Sequence, residues 1–507
     1  MKIPLAELII ASLGSTINAD LPTHRRIFES IRLAILNHQL QGSSKLPSSR
    51  TLASEISCSR NTVIAAYEQL LAEGYVVARI GSGTVVADTL PNFRSDNVLQ
   101  NHEDAYSDIA RDLSSRGNKL TQVASDANFE IQEFIAGAND FSVFPYKTWQ
   151  KLQTKAWREP QSVFMDYARH GGHTPLREVL AEYLRVTRSV RLLPEQILIT
   201  AGTHQSLDLC ARLLTDAQDL AWIENPGYWG ARKIFEANDL QLRPIEVDRD
   251  GMSPSLADMQ TSPKLIYVTP SHQYPLDVVM SLTRRRLLLE YAGSVGAWVL
   301  EDDYDSEFRY KGRPIASLQG LDPHNRVIYM GTFSKVLYPG IRIGYIVVPL
   351  DLVKSFRTGL ADIQRPGQMA VQAALADFIQ QEHFSKHVRN VRMRYGQNRA
   401  LLQNTLQNHL LPAASLSNAD AGLHLVVHLP IDCDDVALAN AARLQQIDIR
   451  PLSVYYVAAP VTRGIVVGYG YLPLAQIVPA AKRLAELVNQ HILASPIPSA
   501  NQTLTKV

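Results

Sequence analysis

Gly331-Thr332-Phe333-Ser334-Lys335, with Pro339-Gly340-Ile341-Arg342 close behind, decides how most of this chain is read. The run brings an amine, two hydroxyls and a guanidinium together just after Val327-Ile328-Tyr329-Met330, an apolar stretch of buried-strand type. Similar short stretches occur upstream at Ile197-Leu198-Ile199-Thr200, Leu220-Ala221-Trp222-Ile223, Leu265-Ile266-Tyr267-Val268 and Trp298-Val299-Leu300, separated by helical periods. Such alternation predicts an α/β body with a mostly parallel central sheet and helices on both faces. Ligands in such folds sit at the carboxyl ends of the strands.

Two further polar clusters fall at predicted strand ends. Thr200-Ala201-Gly202-Thr203-His204-Gln205 opens a helix from about Ser206 to Leu214, where small residues and free N–H groups suit a phosphate, although on this stretch alone a plain helix cap is the better reading. Glu301-Asp302-Asp303-Tyr304-Asp305 places three acids directly after a buried strand, with a fourth two residues on. A Ca²⁺ or Mg²⁺ loop, or a solvated loop, is one reading. A carboxylate holding the protonated ring nitrogen of a pyridine cofactor is the other. A lone lysine is ordinarily a surface residue, but Lys335 follows Asp302 by 33 residues in an ordered constellation.

Composition excludes several classes. The 507 residues are 46% hydrophobic and 20% charged, which suits one large folded domain with a smaller companion. A net charge of +1 means that any nucleic-acid contact must come from a local basic patch. Cys58, Cys210 and Cys433 are scattered and lack metal-ligand spacing, which points to a reducing compartment, no disulfide framework and no metal site. Glu7 interrupts the short apolar N-terminus, so no secretory signal is expected, and no apolar run reaches the roughly 18 residues of a membrane span. The cytoplasm is the expected location.

The N-terminal region has a different pattern. Ile27, Ile31, Ala34 and Ile35 mark one helix, ending near Gln41-Gly42. A serine of Pro47-Ser48-Ser49 caps a second, to about Ser57, and Ser59 caps a third with Val63, Ala66, Tyr67, Leu70 and Leu71 inside, stopped by Gly74. This is a helix-turn-helix whose second member begins Ser59-Arg60-Asn61-Thr62. Tyr75 to Ile80 and Thr84 to Ala87, around Gly81-Ser82-Gly83, add a β wing. Residues 23 to 83 hold seven Lys/Arg against four acids, a net of +3, enough for a handful of phosphate contacts. The polar stretch from about Asp88 to Asn128 reads as an interdomain linker. The expected division is 20–88, an α+β winged helix; 89–128, linker; and 129–495, the α/β body.

The run from Leu46 to Ala87 resembles the winged helix of the GntR family of bacterial regulators. That resemblance implies that Arg50, Ser59, Arg60, Asn61 and Thr62 contact operator DNA and that the wing glycines Gly81 and Gly83 approach its backbone. Residues 130 to 495 resemble the fold type I aminotransferases, which use pyridoxal 5'-phosphate. By that resemblance Lys335 would form the internal aldimine, Asp302 would pair with the pyridinium nitrogen and Tyr304 would hydrogen-bond the ring 3′-oxygen. His272 would stand near the same oxygen, in place of the asparagine of many aminotransferases, and Tyr228 would stack on the ring. Gly202, Thr203, Thr332, Ser334 and Arg342 would form the phosphate cup, and Arg463 would take the carboxylate of an effector. Some relatives carry an arginine two residues after the stacking tyrosine; here that position is Gly230.

A GntR reader joined to an aminotransferase-like body resembles the MocR subfamily, with Thr269-Pro270-Ser271-His272-Gln273 and the Glu301 to Phe308 stretch typical of it. The resemblance implies a pyridoxal-phosphate-dependent transcriptional regulator that binds double-stranded operator DNA and an amine or amino-acid effector, as a head-to-tail homodimer. Physiological turnover is not expected, although the residues for transamination are present. The alternatives are an active aminotransferase with a DNA-binding appendage and a regulator that senses pyridoxal phosphate itself.

Overall fold

The structure is a computed structural model that describes residues 5–14, 21–79, 83–88, 113–121, 132–158, 162–165, 170–312, 315–365, 367–417 and 420–494. The chain divides into two compact units, Met1–Leu113 and Ser114–Val507.

In the first unit three helices, Thr23–Leu36, Ser49–Glu55 and Arg60–Ala72, enclose a small core built on Ile27, Ile31, Leu52, Val63 and Leu70. The first ends at Leu36, earlier than Gln41, because Asn37 closes its last turn and His38 takes a left-handed conformation. The Ser48 and Ser59 hydroxyls cap the other two, accepting at 3.1 Å from the Thr51 and Thr62 amides respectively. Tyr67 donates to the Pro47 carbonyl at 2.9 Å and ties the third helix to the start of the second. Strands β1 (Val76–Arg79) and β2 (Gly83–Val86) pair antiparallel as the wing. A further helix, Leu5–Gly14, adds Ile9 to the core.

The second unit is organised around an eight-stranded sheet. Its strands are β3 (Ile197–Thr200), β4 (Leu220–Asn225), β5 (Gln241–Asp248), β6 (Gly251–Met252), β7 (Leu265–Val268), β8 (Trp298–Asp303), β9 (Val327–Thr332) and β10 (Gly344–Val347), in the order β3-β10-β9-β8-β7-β4-β5-β6. Neighbours from β9 through β5 run parallel, whereas β10 is antiparallel to both β9 and β3. Successive side chains enter opposite cores: Ile197 and Ile199 pack on one face and Leu198 on the other, as do Tyr345 and Val347 against Ile346. A sheet covered on both faces requires this, and its strands therefore read as continuous apolar runs.

A second sheet completes the unit, with β11 (Ser415–Leu416), β12 (His424–Leu429), β13 (Arg450–Pro451) and β14 (Arg463–Gly468) antiparallel in the order β11-β12-β14-β13. Leu425, Val427, Ile465 and Val467 enter the main core, while Val426 and Val466 join Leu452, Tyr455 and Tyr456 in a separate apolar cluster. Part of the stretch expected to be linker is helical: Ser115–Thr121 packs on the helix Trp229–Ala237 and belongs to the second unit. Among the described residues no helix is long and apolar enough to cross a membrane.

Removing the Ser59 cap by Ser59→Ala is expected to destabilise the helix Arg60–Ala72 by about 1 kcal/mol. Native-state hydrogen exchange of its amides would register the change as faster exchange.

Candidate functional site

Lys335, the residue after Ser334 beyond β9, has its Nζ 3.1 Å from the Gly137 carbonyl, to which it donates. Gly137 has φ +76°, and a Cβ there would lie 2.5 Å from the same Nζ, so a glycine is required. The buried Asn139 amide donates to the Lys335 carbonyl at 2.8 Å and to the Leu337 carbonyl at 3.3 Å, fixing the turn that carries the amine. Burial lowers the Lys335 pKa below its ordinary 10.5, partly offset by Asp305 and Asp302. An amine so placed is more readily neutral and nucleophilic.

Lys335 lines a cavity of about 350 Å³ together with Asp302, Tyr304, Tyr228, Thr203 and Thr332. The parallel strands β4, β7, β8 and β9 all end at this side, which is how residues from four loops converge. Asp302 Oδ2 accepts from the Tyr267 hydroxyl at 2.8 Å, whereas its Oδ1 is buried with no hydrogen-bond partner. Burial, augmented by Asp303 and Asp305, pushes the Asp302 carboxyl up to about 7 despite the Tyr267 bond. A cationic N–H at the open oxygen would satisfy it and restore its charge.

Each neighbouring acid has its own partner. Glu301 accepts from the Leu318 and Gln319 amides at 2.8 and 2.9 Å, at the start of the helix Leu318–Leu321. Asp303 makes a fork with the buried Arg188, 2.7 Å to Nε and 3.0 Å to Nη2, and also accepts from Tyr329. Asp305 Oδ2 lies 2.7 Å from His272 Nδ1. The acid-rich stretch is thus divided among a helix start, an arginine, an imidazole and the cavity.

Next to the cavity-lining Thr203, Gly202 has φ +112°, and a Cβ there would stand 3.6 Å from the Arg342 guanidinium. The helix Thr203–Leu214 begins immediately after it with no side-chain cap, leaving first-turn amides available beside Thr203 and Arg342. Ser334 Oγ is buried and without a hydrogen-bond partner. Free helix amides, hydroxyls and a guanidinium suit a phosphate dianion. Tyr228 lines the wall between, its hydroxyl 2.6 Å from His204 Nε2. The open Asp302 oxygen, the uncapped helix and the buried amine fit a phosphorylated pyridine aldehyde.

Five expected residues are not among those lining the cavity: Gly202, Ser334 and Arg342 adjoin the lining residues Thr203 and Lys335 along the chain or through the Gly202–Arg342 contact, and His272 and Arg463 are placed elsewhere. His272 is not among the cavity-lining residues; it is fully buried behind Tyr304, whose hydroxyl is 3.0 Å from His272 Nδ1. Two carboxylates draw it there, Asp305 on one side and Asp277, 3.0 Å from Nε2, on the other. Tyr274 instead occupies the wall, its hydroxyl 2.9 Å from that of Tyr455. Arg463 is also not among the lining residues: its Nη1 donates to the buried Asp435 at 3.0 Å, a carboxylate that needs a cation. Gly137, Asn139, Tyr267 and Tyr274 were not singled out from sequence. Only the loop glycine of Ala136-Gly137-Ala138-Asn139 offered a local signal.

In the first unit Arg50, Ser59, Arg60, Asn61 and Gly83 are exposed and Thr62 is half-buried, while Gly81 lies outside the described residues. Arg60 Nε is 3.4 Å from Ser49 Oγ, so the starts of the two short helices lie side by side. Ser59 is occupied as a cap, which leaves the neighbouring side chains facing outward.

Burial opposes a charged His272, but Asp305 and Asp277 override it and raise its pKa to about 10 from 6.5. A raised pKa contributes stability that is complete below the unfolded value and is lost as pH climbs through the folded one. Between about pH 8 and about pH 10 the unfolding free energy of the wild type should therefore fall more steeply than that of His272→Gln, a comparison made by urea unfolding.

Residues 23–86 match the family of bacterial regulatory proteins of the gntR type, and residues 136–463 match aminotransferase class I and II. The chain is 39% identical over 453 residues to the probable rhizopine catabolism regulatory protein MocR of Rhizobium meliloti, covering 89% of this chain and 91% of that one. It is 30% identical to the pyridoxine biosynthesis transcriptional regulator PdxR of Corynebacterium glutamicum, covering 91% and 95% of the two chains. The kynurenine aminotransferase of Pyrococcus horikoshii, solved with PMP, superimposes with TM-score 0.66 at 25% identity over 75% of this chain and 95% of its own. An archaeal alanine:glyoxylate aminotransferase does so with TM-score 0.67 at 27% identity over 74% and 93%. The class I and II fold and a neighbour holding the aminated form of the cofactor indicate pyridoxal phosphate. With a gntR-type reader and an aminotransferase body in a single chain that aligns with these regulators over about nine-tenths of its length, the protein belongs to the MocR subfamily of GntR-type transcriptional regulators.

Proposed function

We propose that this protein is a pyridoxal-phosphate-dependent regulator that binds operator DNA through its winged helix and responds to an amine or amino acid entering the Lys335 cavity. The observation that carries the reading is the pairing, in one chain, of a lysine amine and an unpartnered Asp302 oxygen on one cavity with a reader that exposes Arg50, Arg60 and Asn61. Lys335 and Asp302 would hold the cofactor, Tyr304 and Tyr228 would flank its ring, and Thr203, Thr332 and Arg342 would hold its phosphate with the Gly202 turn and Ser334. The bound cofactor supplies an electrophilic carbon toward amines and a cationic ring that withdraws electrons.

In this reading Lys335 is the trigger. An incoming amine would compete with Lys335 for the electrophilic carbon that the cofactor supplies, and a shift in operator affinity would follow only if the effector favours one arrangement of the protein over another. We assign the reader to 20–88 and the effector-binding body to 129–495, and we propose a head-to-tail homodimer working in the cytoplasm beside its DNA. Two other readings each have a specific support. Lys335, Asp302 and Tyr304 line one cavity, a grouping that supports residual transaminase turnover. The similarity to PdxR favours response to pyridoxal phosphate itself.

Lys335→Ala should abolish the visible absorption of a covalently held cofactor and the response of operator binding to amines, while operator binding itself persists. If the variant responds as the wild type does, the trigger assignment fails. Brisk transfer between an amino donor and a keto acid, with no operator footprint, would favour the enzyme reading.

Arg60→Gln should weaken operator binding and reduce the slope of log affinity against log salt by about one if the residue meets a phosphate. A changed sequence preference would instead mark a contact with base edges. Fluorescence anisotropy with labelled operator at several salt concentrations measures both.

A further inference from the structure

Arg463 is held by Asp435, so the cavity needs a different explanation for its charge. Besides Lys335 its described lining includes Arg232, Lys233 and Arg450, against Asp302 as the acid. Asp302 is accounted for by the cofactor ring, and the phosphate end has Arg342. The cations left over are Arg232, Lys233 and Arg450.

Arg450 is the most telling of these cations. It opens β13, directly opposite Val466 of β14, the strand whose first residue is Arg463. Val466 is sealed in the apolar cluster with Val426, Leu452 and Tyr455, so this part of β14 offers no charge to the cavity. Arg450 is half-buried and forms an ion pair with the buried Asp448, Nη2 to Oδ2 3.6 Å, a contact too long to be a hydrogen bond. Arg232, by contrast, already donates to the Tyr456 carbonyl at 3.3 Å. Nor can a guanidinium enter from position 230: a Cβ at Gly230 would lie 2.5 Å from Tyr228 Cζ and 2.6 Å from His204 Nε2.

We propose that Arg450, rather than Arg463, receives the anionic end of the effector, and that the effector is an amino carboxylate whose amine faces Lys335. The assignment rests on the reading of the Lys335 cavity as the effector site. A guanidinium offers two parallel donors that match a carboxylate. An amine without an anionic end would desolvate Arg450 and leave it only the long contact with Asp448, which costs affinity.

The test titrates holoprotein with matched pairs: glycine and methylamine, β-alanine and ethylamine, δ-aminovalerate and butylamine. Binding is followed by the change in cofactor absorption and by tryptophan fluorescence, since Trp229 lines the cavity. At least one carboxylate should bind about tenfold or more tightly than its matched amine, the loss expected when a charge-assisted contact is missing. Arg450→Gln should remove this discrimination with little change in amine affinity, and Arg450→Lys should retain part of it. Cofactor loading equal to wild type certifies the fold of each variant. Arg463→Gln should keep the discrimination and lose thermal stability, because Asp435 is left buried without its cation.

Equal binding within every pair, no binding by any carboxylate, or full discrimination in Arg450→Gln would overturn the assignment. Operator binding measured in the same samples separates the two readings. Discrimination that depends on Arg450 but leaves operator binding unmoved defeats the regulatory reading alone. Operator binding that responds to amines without discrimination defeats the Arg450 assignment alone.

Discussion

Strand β8 ends in three consecutive carboxyl groups, all buried, and each must find a partner within the protein. Much of the site is organised around that constraint. Glu301 is satisfied by two helix amides, Asp303 by the Arg188 fork and Asp302 only in part, by Tyr267. The alternation of side chains along a strand sends Glu301 and Asp303 to one face and Asp302 to the other. The buried fork holds Asp303 in place, and losing either partner would strand a charge in the interior. The single acid left with an open oxygen is the one that faces the cavity.

Behind that wall a second buried polar set braces the cavity-lining Tyr304. His272 bridges Asp305 and Asp277, and His424 Nε2 lies 2.9 Å from Asp277 Oδ1 while donating to the Pro275 carbonyl at 3.0 Å. Asp305 follows β8, the 273–277 turn follows β7, and His424 begins β12, so this network joins the large sheet to the small one. Tyr304 is positioned by the same imidazole. Packing between the two sheets and the geometry of the site are therefore linked through His272, although His272 itself does not reach the cavity.

Much of this was legible in the chain. The apolar runs of β3, β4, β7, β8 and β9 are covered on both faces and so announce themselves without alternation, and their polar ends mark where ligands collect. Lys335, Asp302, Tyr304, Tyr228, Thr203 and Thr332 do meet around one cavity. The small antiparallel sheet was harder to see because β11 and β13 are only two residues long and depend on their neighbours rather than on their own pattern. Asn139 and Tyr267 act through hydrogen bonds across long sequence separations, which leave no local trace.

The sequence by itself determined the two-part architecture, the position of the lysine and the order of the groups around it, because strand burial, helix capping and motif spacing are local properties. Tertiary structure decided which charges remain available. Arg463 and His272 carry groups suited to ligand binding, but Asp435 claims the first and the Asp305–Asp277 pair claims the second. Arg450, in a two-residue strand with no motif around it, lines the cavity and is paired with Asp448 only across 3.6 Å, longer than a hydrogen bond. A buried carboxylate requires a counter-charge, and which cation supplies it depends on distances in space that spacing along the chain does not encode.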